Sequence, residues 1–286
     1  MMQEKTTINS LRTTGRNLLE AAGIGSYAID VDVLLMYVLG IDKNTLIADQ
    51  SRLVDDTCAN EFMKMIERRR ENIPIQYLTG KCEFMSLEFD VNRNTLIPRP
   101  DTEILVETIL AAEKNTRGLE IGVGTGCISI SLEYHGEGIA MCGVDISPEA
   151  VRVAAQNHER ILLCDGIFMV SDLFENVPHG AKFDFIVSNP PYIETDEIER
   201  LGSNVKDYEP QLALDGGPDG LDFYRRIVGQ AAEYLVDGGR IYFEIGYNQA
   251  RAVENILAAA GYVDIMILDD YAGKNRVVKA RRMQNV

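Results

Sequence analysis

The stretch "RGLEIGVGTG", residues 117–126, passes from a short apolar strand pattern into glycines at alternate positions, and the helical pattern "CISISLEYH" follows at once. Alternate glycines permit positive φ and let a ligand lie against bare backbone. Strand, glycine turn and helix in that order predict a βα unit, and the sequence beyond it repeats the theme. The apolar runs "IAMCGVDI", "GIFMVSDL", "FDFIVS", "GRIYFEIG", "YVDIMIL" and "RVVKARR" alternate with helical patterns. Such alternation predicts an α/β fold with a mainly parallel sheet covered by helices on both faces. Ligands collect beyond the carboxyl ends of strands in open sheets of this kind, so the residues that follow each run form one candidate site.

Before residue 80 the texture differs. "INSLRTTGRNLLEAAGI", "AIDVDVLLMYVLG" and "CANEFMKMIERRRENI" space apolar residues at three and four, and Gly40 sits where a helix C-cap would. A small helical domain over residues 1–76 is expected, then a β-hairpin linker over 77–96, then the α/β domain over 97–286. "PRPD" sets a rigid entrance to the next helix. No repeat period or low-complexity tract interrupts these units.

The composition excludes several classes. A chain of 286 residues with 46% apolar content buries at least one full core. Neither a membrane-spanning run nor the apolar core of a signal peptide is apparent, which predicts a cytoplasmic protein. The five cysteines are scattered without a C-x-x-C pair, so no disulfide framework and no metal site is expected, and most should be buried thiols. A formal charge of −16 argues against stable binding of nucleic acid, which depends on Lys and Arg neutralising phosphates.

Four elements follow the strand ends. The first is the turn itself, Glu120, Ile121, Gly122, Val123, Gly124, Thr125 and Gly126. A tight turn or a dinucleotide site would read the same way. The second is Asp145, about twenty residues past the last glycine, where a carboxylate can accept from both hydroxyls of a ribose. Ser147 and Pro148 already supply an N-cap and first-turn residue for the following helix, which leaves Asp145 free. The third is "SDLF", 171–174, where Asp172 could take the exocyclic amine of a base with Leu173 and Phe174 beside its ring; an ordinary turn with two core anchors is the competing reading. These three elements fit a nicotinamide cofactor or S-adenosylmethionine equally.

The fourth element decides between them. Asn189, Pro190, Pro191 and Tyr192 close the "FDFIVS" strand beside the glycine turn. A planar –NH2 group has a delocalised lone pair and is a poor nucleophile until oriented. The side-chain oxygen of Asn189 and the carbonyl of Pro190, stiffened by Pro191, can accept its two N–H bonds, while Tyr192 stacks on the planar group. Both acceptors favour the nitrogen more as it becomes positive on attacking a sulfonium methyl. A nicotinamide enzyme leaves this motif without a use.

The "NPPY" tetrapeptide also occurs in adenine-N6 DNA methyltransferases, but the chain as a whole resembles the HemK/PrmC family, the N5-glutamine methyltransferases of peptide chain release factors. Besides 189–192, the stretches "PIQYLTGKCEF" (74–84), "LIPRPDTE" (96–103), "YEPQLALDGGPDGLDFYRRI" (208–227) and "DYAGKNRVV" (270–278) follow that family's pattern. The resemblance implies a helical domain, a hairpin linker and a seven-stranded class I, Rossmann-like methyltransferase domain. It implies S-adenosylmethionine as cofactor, without a metal, and as substrate the glutamine of the Gly-Gly-Gln loop in class I release factors. By the same resemblance Glu120 to Gly124 and Gly126 line the methionine and ribose end of the cofactor, Thr102 lies near its methionine moiety, and Asp145 holds the ribose. Asp172 and Leu173 fall to the adenine, and Asn189, Pro190 and Tyr192 to catalysis. Glu120 stands where many relatives carry Asp, and Leu173 where an aromatic is common. Arg99 is expected to organise the cofactor-side loop, and His135, His158 and His179 to lie on the surface. The competing functions are an amino methyltransferase acting on another protein or on adenine in nucleic acid, and a cofactor-binding module without catalysis.

Overall fold

The computed structural model describes residues 6–283, which divide into two units, one comprising the residues up to Gly80 together with Gly202–Tyr208, the other Lys81–Leu201 with Glu209 onward. In the first unit, helices start where short polar side chains can hold an orphan backbone N–H. Thr7 and Ser10 bond reciprocally at the start of α1 (Ile8–Ala21). After α2 (Tyr27–Leu39), Asp42 caps α3 (Lys43–Ala48) and Asp55 caps α4 (Asp56–Arg70). Gly40 ends α2 in the left-handed conformation its position suggested. Leu19, Val31, Leu34, Leu35, Phe62 and Ile66 fill the core. Gly15 lets α1 approach closely, since a Cβ there would stand 2.9 Å from Phe62 Cζ. A short α5 (Ile75–Thr79) follows and contains Tyr77, read from sequence as the first residue of the hairpin. Tyr208 donates its hydroxyl to the Glu71 carbonyl at 2.8 Å, and Asn72 donates to Ser203 Oγ at 2.5 Å, which ties the returning segment to this unit.

The second unit opens with a hairpin, β1 (Lys81–Phe84) and β2 (Leu87–Asp90), paired antiparallel. A 3-10 turn at Pro100–Thr102 leads into α6 (Glu103–Leu110). Then come β3 (Arg117–Ile121), α7 (Cys127–His135), β4 (Ala140–Asp145), α8 (Pro148–Leu162), β5 (Ile167–Val170) and β6 (Phe183–Ser188). One helical turn, α9 (Ser203–Lys206), lies in the segment counted with the first unit. The chain closes with α10 (Asp222–Tyr234), β7 (Leu235–Glu244), α11 (Ala250–Ala259), β8 (Tyr262–Asp269) and β9 (Asn275–Arg282).

The sheet order is β5-β4-β3-β6-β7-β9-β8, with β9 antiparallel to both its neighbours and the other pairs parallel. This is the class I methyltransferase arrangement. Strand periodicity sends alternate residues to opposite faces, each covered by helices. Leu119, Ile121, Ile186, Ile241 and Phe243 join one core; Phe185, Val187, Tyr242 and Val277 join the other. Burial on both faces explains why "FDFIVS" reads as a continuous apolar run rather than as an alternation. Ser147 caps α8 through the Ala150 N–H with Pro148 behind it, as its sequence suggested.

Two sequence readings are corrected. His158 is only 3% exposed, its ring bonded to Glu133 Oε2 at 2.7 Å and to the Cys164 carbonyl at 2.9 Å, so it belongs to the interior. Among the cysteines only Cys142 is buried, and Cys164 is exposed.

Candidate functional site

The carboxyl ends of β3, β4, β5 and β6 surround a cavity of about 380 Å³. Gly122 and Gly124 line it with φ of +80° and +53°, and a Cβ at either would meet no atom within 4 Å. These glycines therefore serve backbone conformation, and their free side is open space next to the cavity. The turn is fastened from β4. Gly122 and Val123 donate to the Val144 carbonyl at 2.8 and 3.0 Å, while Gly124 donates to Asp145 Oδ2 at 2.9 Å. Asp145 Oδ1 takes the Ser147 N–H at 2.9 Å. Burial raises the Asp145 carboxyl above its ordinary value, and these amides pull it back. Asp145 thus holds the turn in shape and still has lone pairs for a ligand.

Glu120 does not line the cavity. Its side chain is 1% exposed and accepts from the Ser129 N–H at 2.9 Å and, in a short bond, from the Ser129 hydroxyl. The reason is local: the N-cap of α7 is Gly126, which has φ +79° and no side chain to offer, so the helix takes its capping acceptor from the adjacent strand. Burial pushes the Glu120 carboxyl up to about 8. Val123 is buried behind the turn, and Gly126 is needed for packing, since a Cβ would stand 2.8 Å from Ile130 Cδ1. Ile121 reaches the cavity wall.

At the end of β5, Asp172 and Leu173 line the cavity, but Phe174 is a core residue stacked on Tyr234 at 4.7 Å. Leu173 has φ +52°, a costly conformation for a bulky side chain, fixed by Ser171 Oγ donating to its carbonyl at 2.9 Å. Arg226 of α10 donates from its single Nη2 to both oxygens of Asp172, at 2.8 and 2.7 Å. That partner, with Phe223 and the segment Arg93–Leu96, completes the wall and was not foreseen. Fifty-four residues separate Arg226 from Asp172, and no local pattern links them.

Pro190 and Pro191 line the cavity at the end of β6. Asn189 and Tyr192 turn instead toward the end of β7. Asn189 Nδ2 donates to Thr102 Oγ1 at 3.3 Å, which leaves Oδ1 without a donor among the described residues. Thr102, 2% exposed, therefore faces this cluster rather than the cavity. The Tyr192 hydroxyl donates to Glu244 Oε1 at 3.3 Å, and burial raises its pKa further. The backbone after the prolines is clamped. Ile193 exchanges bonds with Leu214 and Gly216, and Gln249 Nε2 donates to the Tyr192 carbonyl at 2.9 Å. Gly216 is required there, because a Cβ would stand 2.7 Å from Tyr192 Cα. Arg99 pairs with buried Glu209, which joins the "PRPD" and "YEP" stretches. Glu244 and Gln249 were missed by sequence reasoning. Glu244 obeys the rule that selected Asp145 and Asp172, an acid at the carboxyl end of a strand, and was legible on that ground.

Comparison with known proteins identifies the family. Residues 10–80 match the PrmC N-terminal domain and residues 100–204 the methyltransferase small domain. The release factor glutamine methyltransferase of Clostridium acetobutylicum is 43% identical over 261 residues, covering 90% of this chain and 92% of that protein. The corresponding protein of Clostridium botulinum is 40% identical over 280 residues, covering 96% of this chain and 99% of that one. Among solved structures, a methyltransferase from Pyrococcus furiosus shares the fold with a TM-score of 0.54 at 18% identity, covering 77% of this chain and 98% of its own. With a glycine turn, strand-end acids and an "NPPY" loop at one sheet edge, and relatives of this identity over nearly their full length, the chain belongs to the release factor glutamine methyltransferase family.

Proposed function

We infer that this chain transfers a methyl group from S-adenosylmethionine to the side-chain amide nitrogen of the glutamine in the Gly-Gly-Gln motif of class I release factors, in the cytoplasm where these proteins act. The observation that carries the reading is the free Oδ1 of Asn189 at the end of β6, beside a cavity walled by Pro190 and Pro191. The cavity fits the cofactor on its own chemistry: bare backbone at Gly122 and Gly124, a half-buried carboxyl at Asp145, and Asp172 with Leu173 at the far wall. In this reading Asp145 accepts from the ribose hydroxyls, Asp172 takes the adenine amine, and Ile121 to Gly124 border the methionine end.

When bound, S-adenosylmethionine supplies an electrophilic methyl on a sulfonium. The protein's part is to aim the nitrogen. Asn189 Oδ1 and the Pro190 carbonyl accept the two amide N–H bonds of the glutamine, and Tyr192 lies along the plane of its amide. As the new N–C bond forms and the methyl's bond to sulfur breaks, its electron pair staying on the sulfur, the nitrogen gains positive charge, and both acceptors strengthen their hold. The surplus proton passes to solvent. None of the three histidines is in the motifs around Asn189, so positioning and the two acceptors carry the rate. The helical unit up to residue 76 serves to dock the release factor rather than to act on the methyl group.

The test is label transfer. The protein is incubated with S-adenosylmethionine labelled on its methyl group and an intact class I release factor, either native or with the Gly-Gly-Gln glutamine replaced by alanine. Label is expected on that one glutamine, located by peptide mass spectrometry. Equal labelling of the alanine variant overturns the substrate assignment.

A further inference from the structure

Gln249 opens α11 as its N-cap, yet its side chain makes no capping bond to that helix. An N-cap residue ordinarily turns an oxygen back onto a free N–H of the first turn. Here the amide is spent elsewhere. Nε2 donates to the Tyr192 carbonyl at 2.9 Å and to the Gly220 carbonyl at 3.2 Å, while Oε1 accepts from the Gly246 N–H at 3.0 Å. Both amide protons and the oxygen are committed, in a residue only 8% exposed. These partners fix which way round the amide lies, since exchanging its ends would set –NH2 against an N–H and oxygen against two carbonyls. Gly220 keeps the room for this arrangement. It has φ +69°, and a Cβ there would collide with the Tyr192 carbonyl oxygen and stand 2.6 Å from Gln249 Nε2.

Resting on the methyl-transfer reading above, we propose that Gln249 is a positioning residue: it pins the Tyr192 carbonyl to Gly220 and to the turn after β7, and so fixes how the "NPPY" loop presents the Pro190 carbonyl and the Tyr192 ring to the substrate amide. The proline rings already set φ at 190 and 191. What freedom the loop keeps lies in its ψ angles and at Tyr192. Its near end is held by β6, which pairs with β7 as far as Ser188, and a bond to the Tyr192 carbonyl holds the far end. The same clamp gives a use to the stretch 214–220. The Leu214 carbonyl accepts from the Ile193 N–H at 3.0 Å, Gly216 donates to the Ile193 carbonyl at 2.8 Å, and Gly220 supplies the second carbonyl that Gln249 grips. A residue serving α11 alone would do better as Ser, Thr, Asp or Asn, whose shorter side chains turn back onto the helix.

The experiment uses the full chain with Gln249→Met, which keeps the length without a donor, and with Gln249→Ser, which offers α11 an ordinary cap. Single-turnover methyl transfer to the release factor is measured at saturating cofactor and substrate, with cofactor affinity read separately by calorimetry. Both variants should slow transfer by about tenfold to a hundredfold, the scale of a displaced reacting geometry, with cofactor affinity little changed. Independently of activity, amide hydrogen exchange is followed by NMR. The Ile193 and Gly216 amides should exchange about tenfold faster in both variants, the scale of one lost hydrogen bond, while the Val253 amide, which donates to the Gln249 carbonyl within α11, keeps its protection in Gln249→Ser. An undiminished transfer rate, or a loss carried by cofactor affinity alone, overturns the proposal. So does faster exchange that spreads equally through α11 and the sheet, which would make Gln249 a residue of the fold and not of the loop. If the native protein transfers nothing to glutamine, the reading of the reaction fails instead, and the Ile193 and Gly216 amides still decide whether Gln249 holds the loop.

Discussion

Replacing Glu120 by glutamine tests whether an acid in the glycine motif is there for the ligand or for the fold. Glu120 is buried against Ser129, and its carboxyl is pushed up to about 8 by desolvation, which outweighs the Ser129 bonds that favour the charge. In the unfolded chain the same group titrates near ~4.3. Between these values the native protein holds a proton that the unfolded chain has released. Stability from this group is therefore fully present below about pH 4.3 and is lost as pH rises toward 8, at about 1.4 kcal/mol for each pH unit inside the window. Glu120→Gln keeps the shape and an acceptor for Ser129 but removes the titration. The difference in unfolding free energy between native and variant should thus tilt steadily in favour of the variant from pH 5 to pH 8.

The assay is urea unfolding at several pH values in that range. Far-UV circular dichroism is the suitable probe, since the chain has no tryptophan. The two units need not unfold together, and the transition to follow is the one whose midpoint moves on adding S-adenosylmethionine. Parallel stability curves for the two proteins, with no tilt across the window, would mean that Glu120 ionises at its usual pH despite burial. That result would refute the account of Glu120 as a carboxyl kept neutral by desolvation in the fold.

Asp145→Asn exchanges one of the two oxygens that hold Gly124 and Ser147 for a donor; cofactor affinity by calorimetry should fall at least tenfold, at roughly 1.5–3 kcal/mol per charge-assisted bond lost. An unchanged Kd removes Asp145 from the site. Asn189→Ala should lower single-turnover transfer by about 10²–10³ with cofactor affinity intact, and Asn189→Asp, which keeps an acceptor, should retain more of the rate. A normal rate in the alanine variant would end the aiming role. A chain beginning at Cys82 should bind cofactor yet methylate intact release factor poorly. Because this truncation strips Ser203 and Tyr208 of Asn72 and Glu71, its folding is checked first, and full activity of a folded truncation would place docking elsewhere.

What the sequence made legible was whatever is encoded locally. Each of the seven sheet strands overlaps an apolar run, although β7 begins at Leu235, ahead of "GRIYFEIG", and Ser147 and Gly40 cap where short-range chemistry says they should. Asp145, Asp172 and the prolines reached the cavity because a strand end dictates its own direction. Glu120 read as a ligand-facing acid because the deficiency it remedies, a glycine at the α7 N-cap, concerns a residue six positions on. His158 failed, and Phe174 stayed open between base and core, for another reason: whether an imidazole or an aromatic turns inward depends on Tyr234, Glu133 and Phe168, partners that only the tertiary fold supplies. The bond between Asp172 and Arg226 is of the same kind.

The placement of Glu244 beside the "NPPY" loop, where it accepts from Tyr192, has its origin in sheet register. Ser188 lies opposite Phe243 on the parallel strands β6 and β7, so the next residues, Asn189 just past β6 and Glu244 as the last residue of β7, stand side by side. That register is not inherited from the start of the strands. From the pair Phe183–Leu235 to the pair Phe185–Arg240, β7 advances five residues while β6 advances two. The excess is taken up around Gly238, at φ +77°, and Gly239, where a Cβ would lie 3.0 Å from the Asp184 carbonyl. Because side chains alternate faces with a period of two, a bulge shorter or longer by one residue would send Glu244 to the opposite face, away from the Tyr192 hydroxyl that it accepts from. The glycine pair at the far end of β7 therefore fixes which acid meets the "NPPY" loop, through backbone geometry alone and without contact with any residue of the site.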